Sequence, residues 1–236
     1  MLWFYDYWYI VLVLPAVLLA AFASFSVNST FKKFSRQRSS RGITGAEAAR
    51  RVLDAHGLYS VQIKRVRGNL TDHYDPRDNT VYLSESVHDN PSTAAIGVAA
   101  HEAGHAVQHA THYLPVKIRA AIIPVTNVGS RLAVPLILIG FLFVAAGGSP
   151  LLAYAGIICF SLTAVFQLVT LPTEFNASRR AMRALEDGGI LSRDELYGAR
   201  RVLTAAAMTY VAALAVSLAQ LLRLLLIVSG NSRRRR

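Results

Sequence analysis

The sequence predicts a mostly α-helical integral membrane protein, with about four transmembrane helices and one small α+β unit. Three observations carry that prediction. First, 53% of the 236 residues are hydrophobic and only 17% are charged, whereas soluble domains run near a quarter charged. Second, four apolar stretches are long enough to cross a bilayer. Third, the region between the first two is polar and mixes helical with alternating patterns. The same composition excludes a disordered or collagen-like chain. The single cysteine, Cys159, excludes an internal disulfide and a multi-thiolate metal site. A net charge of +11 raises nucleic acid as a partner, but in so hydrophobic a chain Lys and Arg decorate the cytoplasmic ends of membrane helices.

Taken in order, residues 1–25 form an N-terminal anchor whose apolar run is Tyr7 to Phe25. Ala21-Phe22-Ala23 looks like a signal cleavage site, yet no Lys or Arg precedes the run and Asp6 sits there instead, which favours an uncleaved anchor. Trp3, Phe4, Tyr5, Tyr7, Trp8 and Tyr9 suit an interfacial aromatic belt. Residues 26–115 are the soluble region. Thr44-Gly45-Ala46-Glu47 is a capping box that opens a helix from Gly45 to about His56, ended by Gly57. Tyr59 to Val66 reads as a strand, Asp75 to Asn79 as a turn, and Thr80 to Ser84 as a second strand. Asn90-Pro91 would cap a helix running to about Thr111. Residues 116–171 make a transmembrane hairpin, Leu132 to Gly147 and Leu151 to Leu171, joined by Gly148-Ser149-Pro150. Residues 172–201 hold a helix from about Thr173 to Asp187, stopped by Gly188-Gly189. Residues 202–236 supply the last span, Val202 to Val228, interrupted by Arg223 and followed by the basic tail Arg233 to Arg236.

Basic residues set the expected orientation. Lys32, Lys33, Arg36, Arg38 and Arg41 follow the first span, Lys117, Arg119 and Arg131 precede the second, and Arg179 to Arg201 fill the third connection. If every span crosses, all three clusters share one side, the cytoplasmic one, of a multi-pass protein in the cell membrane. The Arg tail would then emerge opposite, so either the last segment does not fully cross or the rule is broken there; the tail reads as a lipid-headgroup anchor.

The chemistry sits in His101-Glu102-Ala103-Gly104-His105, an H-E-x-x-H pattern. Residues four apart share one helix face, so both imidazoles can reach one ion, while Glu102 can reach a water on that ion as general base. The competing reading is a core helix with two satisfied histidines. Three ionisable groups in the otherwise small, apolar window Ala94 to Ala106 argue against it. The pattern makes the soluble region a zincin-like catalytic unit holding one Zn²⁺ per chain.

Such a site needs a third ligand. His109 is a further turn along and rises too far. His112 would need a bend, and the glycine that supplies one in the H-E-x-x-H-x-x-G-x-x-H pattern is replaced here by Gln108, with Thr111 at the terminal ligand place. Glu174 is the stronger candidate, because the hairpin returns the chain to the motif's side where Glu174 emerges; pairing with Arg179 is its alternative role. His73, Tyr74, His112, Tyr113, Arg179 and Arg180 are candidate oxyanion donors, and the Thr80–Ser84 strand a candidate edge for an extended substrate. His56, His73 and His88 lack a helical partner at ligand spacing and read as surface residues.

HEAGHAVQHA, LPTEFNASRRA and LTDHYDPRDNTVYLS, with four hydrophobic segments in this order, closely resemble the YugP-like neutral zinc metallopeptidases, a family of bacterial membrane proteins. More distantly the chain is similar to the gluzincin membrane peptidases of the HtpX and CAAX-protease groups. The resemblance implies zinc ligands at His101, His105 and Glu174, a catalytic base at Glu102, protein or peptide substrates, and a bilayer but no nucleic acid as partner. One departure stands out: the distant groups carry E-x-x-A-D, and the last place here is Ser178. A carboxylate that would orient a ligand histidine is missing there, and Asn176 is a candidate substitute. The alternative function is a metal-stapled, inactive membrane scaffold; a retained Glu102 argues against it. A transporter is disfavoured, since only Arg223 is charged deep within a span.

Overall fold

The computed structural model describes residues 7–233, with side chains to residue 230. Trp3, Phe4, Tyr5 and Asp6, and the side chains of the Arg233–Arg236 tail, lie outside the described residues.

Six α-helices and three strands are described: α1 Leu14–Phe34, α2 Gly45–Ala55, β1 Gln62–Val66, β2 His73–Asp75, β3 Thr80–Ser84, α3 Thr93–Ala110, α4 Leu114–Ala145, α5 Leu151–Asp187 and α6 Arg193–Arg233. A π-helical stretch, Tyr9–Val13, precedes α1. Its cause is Pro15, which lacks an N–H and crowds the carbonyl one turn back; a wider turn relieves both. Four helices are long and apolar enough to cross a membrane: Tyr9–Phe34, Leu114–Ala145, Leu151–Asp187 and Arg193–Gly230. The observed helices outrun the apolar stretches. The second begins at Leu114 rather than near Leu132, and α5 runs unbroken through Pro172 into the segment expected as a separate helix.

The chain divides into two compact units, residues 1–22, 118–171 and 209–236 in one, residues 23–117 and 172–208 in the other. Small residues pack the first. A Cβ on Gly140 would meet the main chain of Ala153, and one on Gly156 would meet that of Ile137, so α4 and α5 touch almost backbone to backbone. Arg223 is buried there, its guanidinium 5.4 Å from the centre of the Tyr9 ring. A cation against an aromatic face is a cheaper burial than a cation against hydrocarbon.

The second unit has a core built from α2, α3, β3 and the polar ends of α5 and α6. Val52, Leu53, Val81, Leu83, Ile96, Leu185 and Val202 fill it, with Ala99, Ala100 and Ala103 lining the α3 side. The capping box forms as expected: Thr44 Oγ1 accepts from Glu47 N–H, and Glu47 Oε2 accepts from Thr44 N–H. Gly57, at φ +71°, turns the chain out of α2. The cap of α3 is Ser92 rather than Asn90. Asn90 Oδ1 instead accepts from Ser92 N–H, and Ser92 Oγ accepts from Ala95 N–H, so the turn is stapled one step later.

The sheet corrects one expectation. Its order is β1-β3-β2, with β1 parallel and β2 antiparallel to β3. Thr80–Ser84 is therefore the central strand, paired on both sides, and offers no free edge to a substrate. β2, only three residues long, is too short to leave an alternating pattern in the sequence.

Candidate metal centre

His101 and His105 lie on α3 one turn apart, and Glu174 lies on α5; all three belong to the second unit. Their rings and carboxylate converge. His101 Nε2 and His105 Nε2 are 3.1 Å apart, and Glu174 Oε2 stands 3.4 Å from the first and 3.6 Å from the second. Glu174 is 3% exposed. Arg179, its alternative partner, is exposed and pairs with none of the described residues.

The hydrogen bonds on the far side of each ring decide which nitrogen is available. Gln108 is fully buried, and its Nε2 donates to Thr173 O at 2.8 Å and to Asn176 Oδ1 at 3.0 Å. A main-chain carbonyl accepts only, so the amide orientation is fixed. Gln108 Oε1 must then accept, and it lies 3.0 Å from His105 Nδ1. The His105 proton is on Nδ1 and the Nε2 lone pair faces His101 and Glu174. At His101, Ser178 Oγ stands 3.1 Å from Nδ1 and can accept its proton. With Ser178 accepting from His101, two imidazole lone pairs and a carboxylate oxygen crowd one point, an arrangement that a cation between them relieves.

The spacing suits zinc. Tetrahedral bonds of about 2.0–2.1 Å place ligand atoms about 3.3 Å from one another, and the three separations here run from 3.1 to 3.6 Å. The donor set, two imidazoles and one carboxylate, is likewise a zinc set. The local field has the right sign. Burial pushes the His105 imidazole down, but Glu174 and Glu102 outweigh it and hold the ring above its ordinary value. Glu102 is buried on α3 and makes no hydrogen bond to a described residue. Asp72 is close enough to sense it: burial foremost, and then the Glu102 charge, push the Asp72 carboxyl up. Ser84 counters by donating its N–H and its hydroxyl to Asp72.

Two partners escaped the sequence reading. Gln108 looked like a failed glycine of another pattern, yet it orients His105 and ties α3 to α5. Ser178 looked like a lost aspartate, yet its hydroxyl stands against Nδ1 of His101. Asn176 acts a bond further out, accepting from Gln108 and from Arg180 Nε at 2.8 Å. The other histidines stay away from the cluster. His109 sits against Tyr74 with ring centres 6.0 Å apart, His73 stacks on Tyr82, His88 pairs with Asp89, and His56 Nδ1 donates to Val52 O.

Residues 9–229 match a family described as "Putative neutral zinc metallopeptidase". The chain is also 48% identical over 219 residues, 93% of its own length and 96% of the relative's, to the "Putative membrane protease YugP" of Bacillus subtilis (strain 168). No solved structure matches the chain. The class of protein is a zinc-metallopeptidase-like membrane protein, and the chain belongs to this neutral zinc metallopeptidase family of YugP-like proteins.

Proposed function

We propose that the protein is a zinc-dependent integral membrane endopeptidase of gluzincin type, with His101, His105 and Glu174 as zinc ligands and Glu102 as the catalytic base. One observation carries the reading: three lone-pair donors converge at zinc spacing with an uncommitted carboxylate one residue along the same helix. Zinc bound there would supply Lewis acidity, polarising a peptide carbonyl and making water a usable nucleophile near neutral pH.

The chain's own groups do the rest. Glu102 accepts the proton of the attacking water as its oxygen bonds to the carbonyl carbon, and returns that proton to the amine as the C–N bond breaks. Gln108 holds the His105 imidazole to one tautomer, and Ser178 gives Nδ1 of His101 a hydrogen-bond partner. Substrates would be membrane or membrane-near proteins, reached on the cytoplasmic side where the basic connections gather.

Glu102→Gln tests the base. Zinc content should match the parent, while cleavage of an unfolded test protein falls at least about a hundredfold. Full activity in that variant would refute the assignment, and absence of zinc from both proteins would refute the metal site.

A further inference from the structure

A cleft of about 580 Å³ opens between α2 and the polar end of α5, within the second unit. Arg51 and His56 come to it from α2, and Asn176, Arg179, Arg180 and Arg183 from α5. Its volume lies within the roughly 300–1,000 Å³ of ligand sites. The charge is one-sided: four guanidiniums against a single lining acid, Asp187. Arg183 and Asp187 are four apart on one helix, yet no ion pair joins them, and Arg51 and Arg179 also pair with none of the described residues. Elsewhere in the same unit arginines do find acids, as Arg50 does with Asp54. Asn176 adds to the bias. Its Oδ1 is taken twice, by Gln108 and by Arg180, so the valence it has left is its Nδ2–H donors. The uncommitted lining groups of this cleft, Asp187 apart, are therefore almost all cationic or donors. They begin one hydrogen bond from the residue that orients His105.

We infer that this cleft is a substrate subsite for carboxylates, binding an acidic stretch of the polypeptide that lies across the metal centre. The inference rests on the peptidase reading, since the ligand is taken as a peptide because Asn176, at the near end of the cleft, lies two residues from Glu174 on α5 and bonds Gln108. Guanidiniums recognise carboxylates through paired N–H donors, and a cluster of them in a walled cleft adds selectivity. The carboxylates can come from Asp and Glu side chains or from a free chain end.

Binding can be read without turnover. The full-length Glu102→Gln protein, in neutral detergent, is titrated against fluorescent peptides followed by anisotropy. The set is one Asp-bearing peptide, its Asn counterpart, and the Asn counterpart with either a free or an amidated C-terminus. The Asp peptide should bind at least about tenfold tighter than its Asn counterpart, and salt should weaken it. Preference for free over amidated ends would assign the site to chain termini instead of side chains, within the same carboxylate chemistry. Arg183→Glu should erase the preference and give tighter binding to a Lys-bearing peptide, a gain that misfolding does not produce. Equal binding of Asp and Asn peptides with no effect of chain-end charge, or a preference untouched in Arg183→Glu, would overturn the subsite. So would loss of Asp-peptide binding when phosphatidylglycerol is added, if Arg183→Glu also abolishes retention of that lipid; the cleft would then hold headgroups. Failure of the peptidase reading shows separately, as parent protein that cleaves nothing while still binding the Asp peptide.

Discussion

At the scale of single residues, the centre depends on neutral groups that hold its imidazoles. Gln108 satisfies three partners at once in a fully buried position. Gln108→Ala should lower zinc affinity about 10–100-fold, the range seen when a ligand's outer partner is removed, and a competition titration with a chelating dye measures it. Asp72 makes a pH prediction. Its folded carboxyl is raised, so it holds a proton more tightly in the fold than in the unfolded chain. Its contribution to stability is greatest in acid and declines as pH rises through about 4 and beyond, leaving a cost at neutral pH. Asn keeps both bonds to Ser84, with Oδ1 accepting the N–H and Nδ2 donating to the hydroxyl. The melting-temperature gain of Asp72→Asn over the parent should therefore be larger near pH ~7.5 than near pH ~4; the opposite order would contradict it. That the two motif histidines share one face was legible because helical period alone places them. Gln108 and Ser178 were not, because an amide or a hydroxyl carries no signature until its partner is known.

At the scale of elements, the separation of α3 and α5 is set where Gly104 faces Ala177. A Cβ on Gly104 would meet Ala177 O at 2.8 Å, and one on Gly97 would come 3.1 Å from Ala199 Cβ. Gly104→Ala gains about 1 kcal/mol of helix propensity but overpacks the contact by about 1–3 kcal/mol. The obstacle is a main-chain oxygen, which cannot rotate away, so the clash should win. The expected outcome is a lower melting temperature together with weaker zinc binding, because the helices carrying His105 and Glu174 are pushed apart. Elements with local signals were readable: the capping box named the start of α2, and Gly57 its end. The order of the strands was not, since pairing partners leave no trace in a five-residue alternation. That is why Thr80–Ser84 looked like an edge and lies in the middle.

At the scale of the whole molecule, the apolar stretches announced four membrane-length helices, and the basic clusters announce a common side for three connections. The expected topology is testable by cysteine labelling in a Cys159→Ala background. Asp194→Cys is exposed and should react with a membrane-impermeant maleimide only after the cytoplasmic face is opened. Tyr7→Cys, exposed near the N-terminus, should react in intact cells. Reversed labelling would put the metal centre on the outer side. The lengths of the helices were less legible than their number. Helices α4, α5 and α6 run well past the apolar limits read from the sequence; in α4 the added turns hold Pro124 and mix Lys117, Arg119 and Asn127 with exposed Ile118, Val125 and Val128, a pattern that hydropathy alone breaks off early.

The missing side chain at Gly104 has a consequence for anyone surveying this protein by exhaustive substitution. Intolerance would appear at Gly104 and at the neighbouring alanines as well as at the imidazoles, though none of those small residues offers a donor atom to the cluster. What they guard is clearance between two main chains, and a close-packed interior offers no rotamer through which a larger residue could give it back.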